Sequence, residues 1–468
     1  MYSSFRRIRF LLIMVVIVFV GISLYLVGFQ LFQAKELAEH ARNSRNWVDE
    51  TGIERGKIID RSGEVLAYSE RLEGEDRWRR ISEYSYSMAH LVGYSTQEHG
   101  KSGIESAYNG QLLGLQDDDL LGTVRDVLGK KGKGNDVELT VHAQLQSYIF
   151  NLLEGHKGSV VAMDPKTGEV LAMVSSPSFD SNNVDATWDE LIEREDGVLL
   201  NRATQGVYTP GSIMKVVSAV SILEAGVPQS YDDSGVEVIE GAEIYNYEGD
   251  VRGEMDLEDA LVHSTNTYFA NKALLVGGEK MKETAERFLF NQDFPFSLRH
   301  EYSTVDYQGG MAKIDLASSA YGQGKTLVTP LHMAMVISSI SQEGEMKEPQ
   351  LVKSIKTPTG TTLYSQSPKT ISQVTEPPVA RELRDMLIRT VEYNGYCYLD
   401  GAVIGGKTGT AENPSGEDHA WFITFAKGST KEFALAIVLE EEGRTGGQAA
   451  APIAQQIYYK ARELNLLD

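Results

Sequence analysis

Apolar residues are distributed unevenly along the chain, and the densest run lies near its N-terminus. Residues 10–34 carry no charged side chain and are mostly apolar, and about 20 such residues form a helix that spans the hydrocarbon core of a bilayer. A cleaved signal peptide is the alternative, but its apolar core is usually shorter, at about 7–15 residues. Arg6, Arg7 and Arg9 precede the run, and basic residues beside a span stay in the cytoplasm. We therefore expect a cytoplasmic tail over residues 1–9, a transmembrane anchor over residues 10–34 and an extracytoplasmic remainder, in a single-pass protein of the cell membrane.

Beyond the anchor, the pattern predicts a small α+β module followed by a larger domain. Within residues 55–67, apolar pairs flank a polar Ser62-Gly63 turn, which is typical of a β-hairpin. Residues 130–136 are rich in Lys and Gly and form the best candidate for a linker. The sequence therefore predicts an N-terminal non-catalytic module over residues 35–137, of a pedestal or dimerisation type, and a second domain over residues 138–468.

The second domain has strands at both ends and a helical middle. A helix, four strands and a final helix are expected, in order, at residues 139–154, 159–164, 169–174, 420–426, 433–439 and 453–464. The first two strands flank a tight turn over residues 165–168. Strands that are separated by helices in this way indicate one antiparallel sheet flanked by helices, which is an α+β fold.

Composition and charge narrow the possible functions. A chain of 468 residues is long enough for two or three domains. The formal net charge of -22 gives an acidic surface that repels phosphate backbones, so we expect no nucleic-acid partner. Cys397 is the single cysteine, which excludes an intramolecular disulfide and a zinc site of Cys/His spacing. We therefore expect no metal and no cofactor, and we interpret Cys397 as a packing residue.

Ser212 and Lys215 are the first candidates for chemistry. They lie three residues apart at the start of an apolar helix that ends near Gly226, so their side chains share one helix face. A serine hydroxyl needs a base before it can act as a nucleophile. A lysine with its ordinary pKa of about 10.4 is almost fully charged at pH 7, but burial and a second cation can lower that pKa. The pair is common by chance, and the alternative is an ordinary helix start with a solvated lysine.

Two further motifs follow in chain order, and each has a decoy. Ser264-Thr265-Asn266 lies between apolar runs, but residues 44–46 and 181–183 show the same S-x-N pattern. Lys407-Thr408-Gly409-Thr410 also lies between apolar stretches, whereas Lys166-Thr167-Gly168 falls in the predicted hairpin turn. We interpret the copy at residues 166–168 as structural and the copy at residues 407–410 as a strand edge that lines a cleft.

The third motif also fits a phosphate-binding loop in form. Residues 401–408 match G-x-x-x-x-G-K-[ST], but such a loop must lead directly into a helix whose N-terminus binds phosphate. Gly409, Pro414 and a β-rich run follow instead. We therefore favour the strand edge over the phosphate-binding loop.

The order S-x-x-K, S-x-N, K-T-G-T resembles the signature of penicillin-binding proteins and serine β-lactamases. Residues 55–67 are similar to the N-terminal signature of the class B, monofunctional enzymes, and the resemblance extends from about residue 50 to the C-terminus. Further similar segments are residues 103–105, 201–206, 322–324, 328–331 and 418–422. The resemblance implies the penicillin-binding transpeptidase fold, with an antiparallel sheet flanked by helices.

The resemblance also implies a role for each motif residue. Ser212 would attack a D-alanyl-D-alanine stem peptide and form an acyl-enzyme, while Lys215 would take its proton. Ser264 would transfer a proton to the leaving D-alanine. Asn266 would hold the substrate amide and orient Lys215, and Lys407 would add positive potential.

The remaining implied roles concern substrate binding. Thr408 and Thr410, with Gly409 between them, would bind the terminal carboxylate. The backbone N–H groups of Ser212 and Thr410 would form the oxyanion hole, which is usually a large contribution to acyl transfer. Residues 393–398 are more aromatic than the family pattern, and we expect them to border the cleft.

The implied function is peptidoglycan D,D-transpeptidation, with peptidoglycan stem peptides as substrates and β-lactam antibiotics as acylating inhibitors. A glycosyltransferase of the SEDS type is the expected partner. A D,D-carboxypeptidase or a β-lactamase would use the same three motifs. The non-enzymatic alternatives are a catalytically silent cell-wall scaffold and a β-lactam sensor.

Overall fold

The computed structural model describes residues 10, 12–23, 25, 50–115, 132–307, 311–413 and 416–468. Across these ranges, no helix combines the length and apolar character needed to cross a bilayer. The predicted tail over residues 1–9 lies outside the described residues, as do residues 11, 24 and 26–34 of the predicted anchor. Residues 12–23 of that segment are helical, and their apolar side chains are exposed.

The described part of the chain alternates short strands with helices. The strands are β1 Ile58–Ile59, β2 Val65–Arg71, β3 Trp78–Ser82, β4 Asp136–Leu139, β5 Gly158–Met163, β6 Val170–Ser176, β7 Tyr231–Asp233, β8 Val236–Ile239, β9 Ala242–Tyr245, β10 Gly253–Met255, β11 Glu345–Lys347, β12 Val352–Lys356, β13 Thr362–Ser365, β14 Thr370–Gln373, β15 Val403–Ala411, β16 His419–Lys427 and β17 Glu432–Leu439. The α-helices are α1 Gly103–Ala107, α2 Asn109–Leu112, α3 Ala143–Leu152, α4 Val184–Glu193, α5 Lys215–Ala225, α6 Leu257–Val262, α7 Asn266–Val276, α8 Gly278–Arg287, α9 Lys313–Ala320, α10 Pro330–Ser341, α11 Pro377–Asn394 and α12 Gly446–Glu463. Among the short 3₁₀-helices, Gly211–Met214 bears on function.

The larger domain is built on an antiparallel five-stranded sheet, which confirms the predicted sheet flanked by helices. The strand order is β15-β16-β17-β5-β6. Alternate residues of β5 face two different cores: Val161 lies with Ile337 of α10, and Val160 lies with Ile149 of α3 and Ile457 of α12. Because helices cover both faces, these strands are continuously apolar rather than alternating in polarity.

The predicted element bounds agree with the structure for the strands and fail at two helices. Each of the four predicted strands overlaps one of β5, β6, β16 and β17, with ends that differ by at most two residues. The helix expected from residue 139 begins at Ala143, because Leu139 belongs to β4. The final helix begins at Gly446 rather than at residue 453, so Pro452 lies inside it. Two glycines and a proline lie in its first turns, where they disfavour a helix, but a Thr445 capping box starts the helix before them.

A second sheet joins the N-terminal strands to the larger domain. Its order is β13-β12-β4-β1-β2-β3, with β4 parallel to β1 and antiparallel to β12. The antiparallel pairing of Ile58 with Ala67 confirms the predicted hairpin. The expected domain boundary after residue 137 falls inside β4, where Val137 and Leu139 are both fully buried. Of the predicted linker over residues 130–136, only Asp136 lies in β4, and strands from both sides of the expected boundary share this sheet.

A buried ion cluster connects the N-terminal strands to α1. Glu105 is 1% exposed, and its carboxylate lies 2.7 Å from Arg55 Nη2 and 2.5 Å from Arg80 Nε. Burial alone would raise the pKa of Glu105, but the two guanidinium groups hold it below its usual range. Two segments that resemble the class B signature, residues 55–67 and 103–105, therefore meet through one ion cluster.

Candidate active site

Ser212 lies in a tight turn that places it beside the edge strand β15. The residue occupies the 3₁₀-helix Gly211–Met214, which runs directly into α5. The turn starts at Gly211 with φ +55, and a Cβ there would lie 2.7 Å from the carbonyl oxygen of Thr410. Gly211 N–H also donates to the carbonyl of Gly322 at 2.9 Å. Glycine is therefore required for the turn to pack this closely against β15.

The predicted pairing of Ser212 and Lys215 is confirmed by their contact. Lys215 Nζ lies 3.0 Å from Ser212 Oγ, and the lysine side chain is fully buried. The helix that carries Lys215 ends at Gly226, which has a left-handed conformation, as expected for a glycine C-cap. The alternative of a solvated lysine at an ordinary helix start is therefore wrong.

Lys215 Nζ has two further partners that can only accept hydrogen bonds. It donates to the backbone carbonyl of Ser264 at 2.6 Å and to Asn266 Oδ1 at 2.7 Å. A neutral lysine amine has two N–H groups and one lone pair. When these two acceptors take both N–H groups, the lone pair is left to face a hydroxyl, and Ser212 Oγ and Ser264 Oγ lie 3.0 and 3.2 Å away. The arrangement therefore aims a basic lone pair at serine oxygens.

Ser264 connects the two buried lysines of the site. Its hydroxyl lies 3.2 Å from Lys215 Nζ and 2.9 Å from Lys407 Nζ. The residue has φ +58 and lies in the short turn between α6 and α7. This left-handed backbone is uncommon for a non-glycine residue, and here it directs both the carbonyl and the hydroxyl of Ser264 at Lys215.

Asn266 is oriented by a backbone carbonyl outside the motif. Asn266 Nδ2 donates to the carbonyl oxygen of Tyr245 at 3.0 Å. With the nitrogen held there, Oδ1 faces Lys215 Nζ and accepts from it. Both predicted residues of the second motif therefore contact the predicted base.

Burial sets the electrostatics of the two lysines. Burial, and then the charge of Lys407, lower the pKa of Lys215 well below its ordinary value. Burial lowers the pKa of Lys407 to about 7. Within the described residues, no carboxylate forms an ion pair with either amine, and the Phe269 ring lies 5.5 Å from Lys215 Nζ. No carboxylate among the described residues offsets the desolvation of the charged amines, so the site favours a neutral Lys215 near neutral pH.

The third motif forms the edge strand of the five-stranded sheet, as predicted. Lys407, Thr408, Gly409 and Thr410 all lie in β15, whose single strand partner is β16. An edge strand leaves alternate N–H and C=O groups without a sheet partner. The Thr410 carbonyl lies against Gly211, so the unpaired edge faces the turn that carries Ser212. The strand continues from Thr408 through Ala411 where a phosphate-binding loop would lead into a helix, which excludes that loop.

The decoy motifs lie away from this cluster. Residues 166–168 form the turn between β5 and β6. Asn182 hydrogen-bonds the backbone of Ser82, and residues 44–46 are outside the described residues. Burial raises the pKa of Cys397 to about 12, and its thiol donates to the carbonyl of Ala451 at 3.6 Å, which confirms a packing role.

Several contributors were not identified from the sequence. Tyr245 supplies a backbone carbonyl, which no residue-type motif can reveal, and Phe269 covers Lys215 as one apolar residue among many. Tyr396 lies with its hydroxyl 3.2 Å from Thr408 Oγ1. A sequence signal was available for Tyr396, since residues 393–398 depart from the family pattern at the border of the cleft.

Comparisons with known proteins match both parts of the chain to described domain families. Residues 158–459 match the penicillin-binding protein transpeptidase domain, and residues 55–137 match the penicillin-binding protein A dimerisation domain. A peptidoglycan D,D-transpeptidase, PbpA of Mycolicibacterium smegmatis, is 32% identical over 97% of this chain and 98% of its own length. The ceftriaxone acyl-enzyme of penicillin-binding protein A from M. tuberculosis superposes with a TM-score of 0.82 and 28% identity, over 88% of this chain and 99% of its own. PBP2 of Pseudomonas aeruginosa gives a TM-score of 0.74 and 26% identity, over 87% of this chain and 94% of its own.

Proposed function

The chain belongs to the penicillin-binding protein transpeptidase family, and on this basis we propose which of its residues carry each step of the reaction. It is a serine-type peptidoglycan D,D-transpeptidase, which cross-links stem peptides through an acyl-serine and is acylated by β-lactams. The assignment of steps to residues rests on the contacts of the three motifs.

In the acylation step, Ser212 attacks the carbonyl carbon between the two terminal D-alanines. Lys215, as the neutral amine, accepts the Ser212 hydroxyl proton across 3.0 Å. The oxyanion forms beside the N–H groups of Ser212 and Thr410, which stabilise its charge. The C–N bond then breaks, and Ser264, between Lys215 and Lys407, passes a proton to the leaving D-alanine nitrogen.

In the second step, the amine of a neighbouring strand attacks the acyl-serine. It loses a proton to the Ser264–Lys215 pair, and the C–O bond to Ser212 breaks as the oxygen regains a proton. A new amide bond then cross-links the two strands. A β-lactam blocks this step because its cleaved nitrogen stays attached to the acyl group near the site.

One observation carries this proposal: the set of contacts around Lys215 Nζ. Two acceptor-only oxygens hold it at 2.6 and 2.7 Å, and the nucleophile lies at 3.0 Å. A structural lysine needs no hydroxyl in this position. A general base needs one within hydrogen-bond reach, together with a pKa near the working pH.

We also propose the setting in which the enzyme acts. An uncleaved anchor over residues 10–34, preceded by three arginines, would place the catalytic domain outside the cell membrane. Residues 35–137 would form the non-catalytic module, and the dimerisation-domain match over residues 55–137 supports this. A SEDS-type glycosyltransferase in the same membrane would supply the glycan strands that this chain cross-links.

The test is the intact mass of the full chain in detergent after incubation with benzylpenicillin. We expect a stable adduct on the wild type and none on Ser212→Ala. Ser221→Ala is the matched control, because Ser221 is buried in the same helix and its hydroxyl has no partner among the described residues. Rapid drug hydrolysis without an adduct would indicate a β-lactamase. If folded protein formed no adduct and hydrolysed no drug, the acyl-serine assignment would be refuted.

A further inference from the structure

Tyr396 brings a phenol hydroxyl to the third motif. The residue follows α11, and its ring packs edge-on against Phe422 at a centroid distance of 5.9 Å. The ring also fills the space beside Gly447, where a Cβ would lie 2.6 Å from Tyr396 Cε1. The ring position is therefore fixed on two sides, and it directs the hydroxyl to Thr408 Oγ1 at 3.2 Å.

Proton counting shows what this pair can do. Each hydroxyl has one proton, and one of the two protons is used within the Tyr396–Thr408 hydrogen bond. Whichever residue donates, one O–H remains available for a further acceptor. A hydroxyl that already accepts a hydrogen bond is also polarised into a better donor. The pair therefore presents one strengthened O–H donor at the edge of β15.

The surroundings of this donor favour an anion. Lys407 precedes Thr408, and its amine is buried at the site. The N-terminus of α12, an 18-residue helix, begins at Gly446 and abuts β15, since a Cβ at Gly446 would lie 2.6 Å from the carbonyl of Gly409. A helix N-terminus carries partial positive charge. A helix N-terminus and a spare O–H donor therefore lie together at this strand edge, which also carries Lys407.

From this arrangement we infer that Tyr396 is a specificity-determining residue whose hydroxyl, oriented by Thr408, binds the terminal carboxylate of the donor peptide. This inference rests on the proposed function, in which the donor peptide ends in D-alanyl-D-alanine and so carries a terminal carboxylate. Thr408 donates its hydroxyl proton to the Tyr396 oxygen across 3.2 Å, so the Tyr396 O–H is the donor that remains for the substrate. The aromatic stretch that departs from the family pattern thus contributes to recognition of an anionic donor terminus.

The experiment compares two acyl-D-alanyl thioesters, one ending in a carboxylate and the other in a neutral amide, by thiol release from the full-length protein. The variant is Tyr396→Phe, which keeps the ring packing and removes the hydroxyl. Tyr398→Phe is the matched control, because Tyr398 lies two residues away, is 69% exposed and has its hydroxyl 3.5 Å from Asp400.

We expect Tyr396→Phe to raise KM for the carboxylate donor about tenfold, because a loss of about that size corresponds to one hydrogen bond to a charged group. Its kcat should stay near that of the wild type, and the amide donor should show no change in KM. In a Thr408→Val background, Tyr396→Phe should have a much smaller effect, because the tyrosine hydroxyl then lacks the hydrogen bond that orients and polarises it. Such non-additivity is the signature of two coupled residues.

Three outcomes would overturn the inference while leaving the proposed function intact. Tyr396→Phe could match Tyr398→Phe, it could affect both donors equally, or its effect could persist in full beside Thr408→Val. Failure of the proposed function is a separate result, because the wild type would then form no benzylpenicillin adduct at Ser212.

Discussion

The positive charge of Lys407 should help to keep Lys215 neutral, and replacing Lys407 by methionine tests this directly. The two amine nitrogens lie 3.2 and 2.9 Å from Ser264 Oγ, so they are no more than about 6 Å apart. At that separation, an effective dielectric constant of about 20 gives a repulsion of about 3 kcal/mol, or about 2 pKa units. Lys407, with its pKa lowered to about 7, carries only part of its charge near pH 7, so about two units is the order of the shift.

The sign of the effect follows from the role of Lys215 as a base. Without the neighbouring cation the pKa of Lys215 rises, and a smaller fraction is neutral at any pH below that pKa. When the acylation rate is plotted against pH, the acidic limb of the curve should therefore move to higher pH. At pH 7 the rate should fall by up to about 100-fold, and raising the pH should recover it.

The assay is the second-order rate of acylation by benzylpenicillin, followed by intact mass across the pH range. Lys272→Met is the control, because Lys272 is 2% exposed and also has a lowered pKa. Its amine, however, donates to the backbone carbonyl of Ser230 and not to Ser264. Its profile should match that of the wild type. A Lys407→Met profile that is lower at every pH, with an unmoved acidic limb, would show that the charge of Lys407 does not tune Lys215.

Two further substitutions test the packing around the site and the N-terminal ion cluster. Gly211→Ala should abolish acylation and lower stability by about 1–3 kcal/mol, because its Cβ would lie 2.7 Å from the Thr410 carbonyl. Gly226 has a similar φ of +60 but open space around it, so Gly226→Ala should keep acylation. Equal loss of acylation in the two variants would refute the clash between residue 211 and Thr410. Glu105→Gln should lower the free energy of unfolding by about 3–5 kcal/mol, since it removes the carboxylate that two buried guanidinium groups share. Glu70→Gln, in a half-exposed ion pair, should change it by less than about 1 kcal/mol, and equal melting temperatures for the two variants would contradict this account.

Local sequence was sufficient for features that depend on neighbouring residues. Ser212 and Lys215 are three residues apart, so even a 3₁₀ turn places them together, as the 3.0 Å contact shows. The strands β5 and β17 were visible because burial on both faces leaves an uninterrupted apolar run. The final helix was predicted too short because Pro452 is tolerated there, although proline usually ends a helix.

Contacts between distant residues could not be derived from the sequence. Ser264 and Lys407 are 143 residues apart and meet at 2.9 Å because β15 lies at the sheet edge beside the α6–α7 turn. The same fold pairs β4 with β12, which places a shared strand where the sequence suggested a boundary. The K-T-G at residue 407 differs from its decoy at residue 166 by its position in the sheet and not by its residues.

The sequence by itself therefore determined which residue types could perform acyl transfer and the order in which they occur. The tertiary structure decided that Lys215 is fully buried, that Asn266 turns its oxygen toward it, and that the Tyr396 hydroxyl reaches Thr408. The physical reason is that burial, amide orientation and side-chain proximity depend on groups far away in the chain. The positions of those groups are fixed only when the whole domain folds.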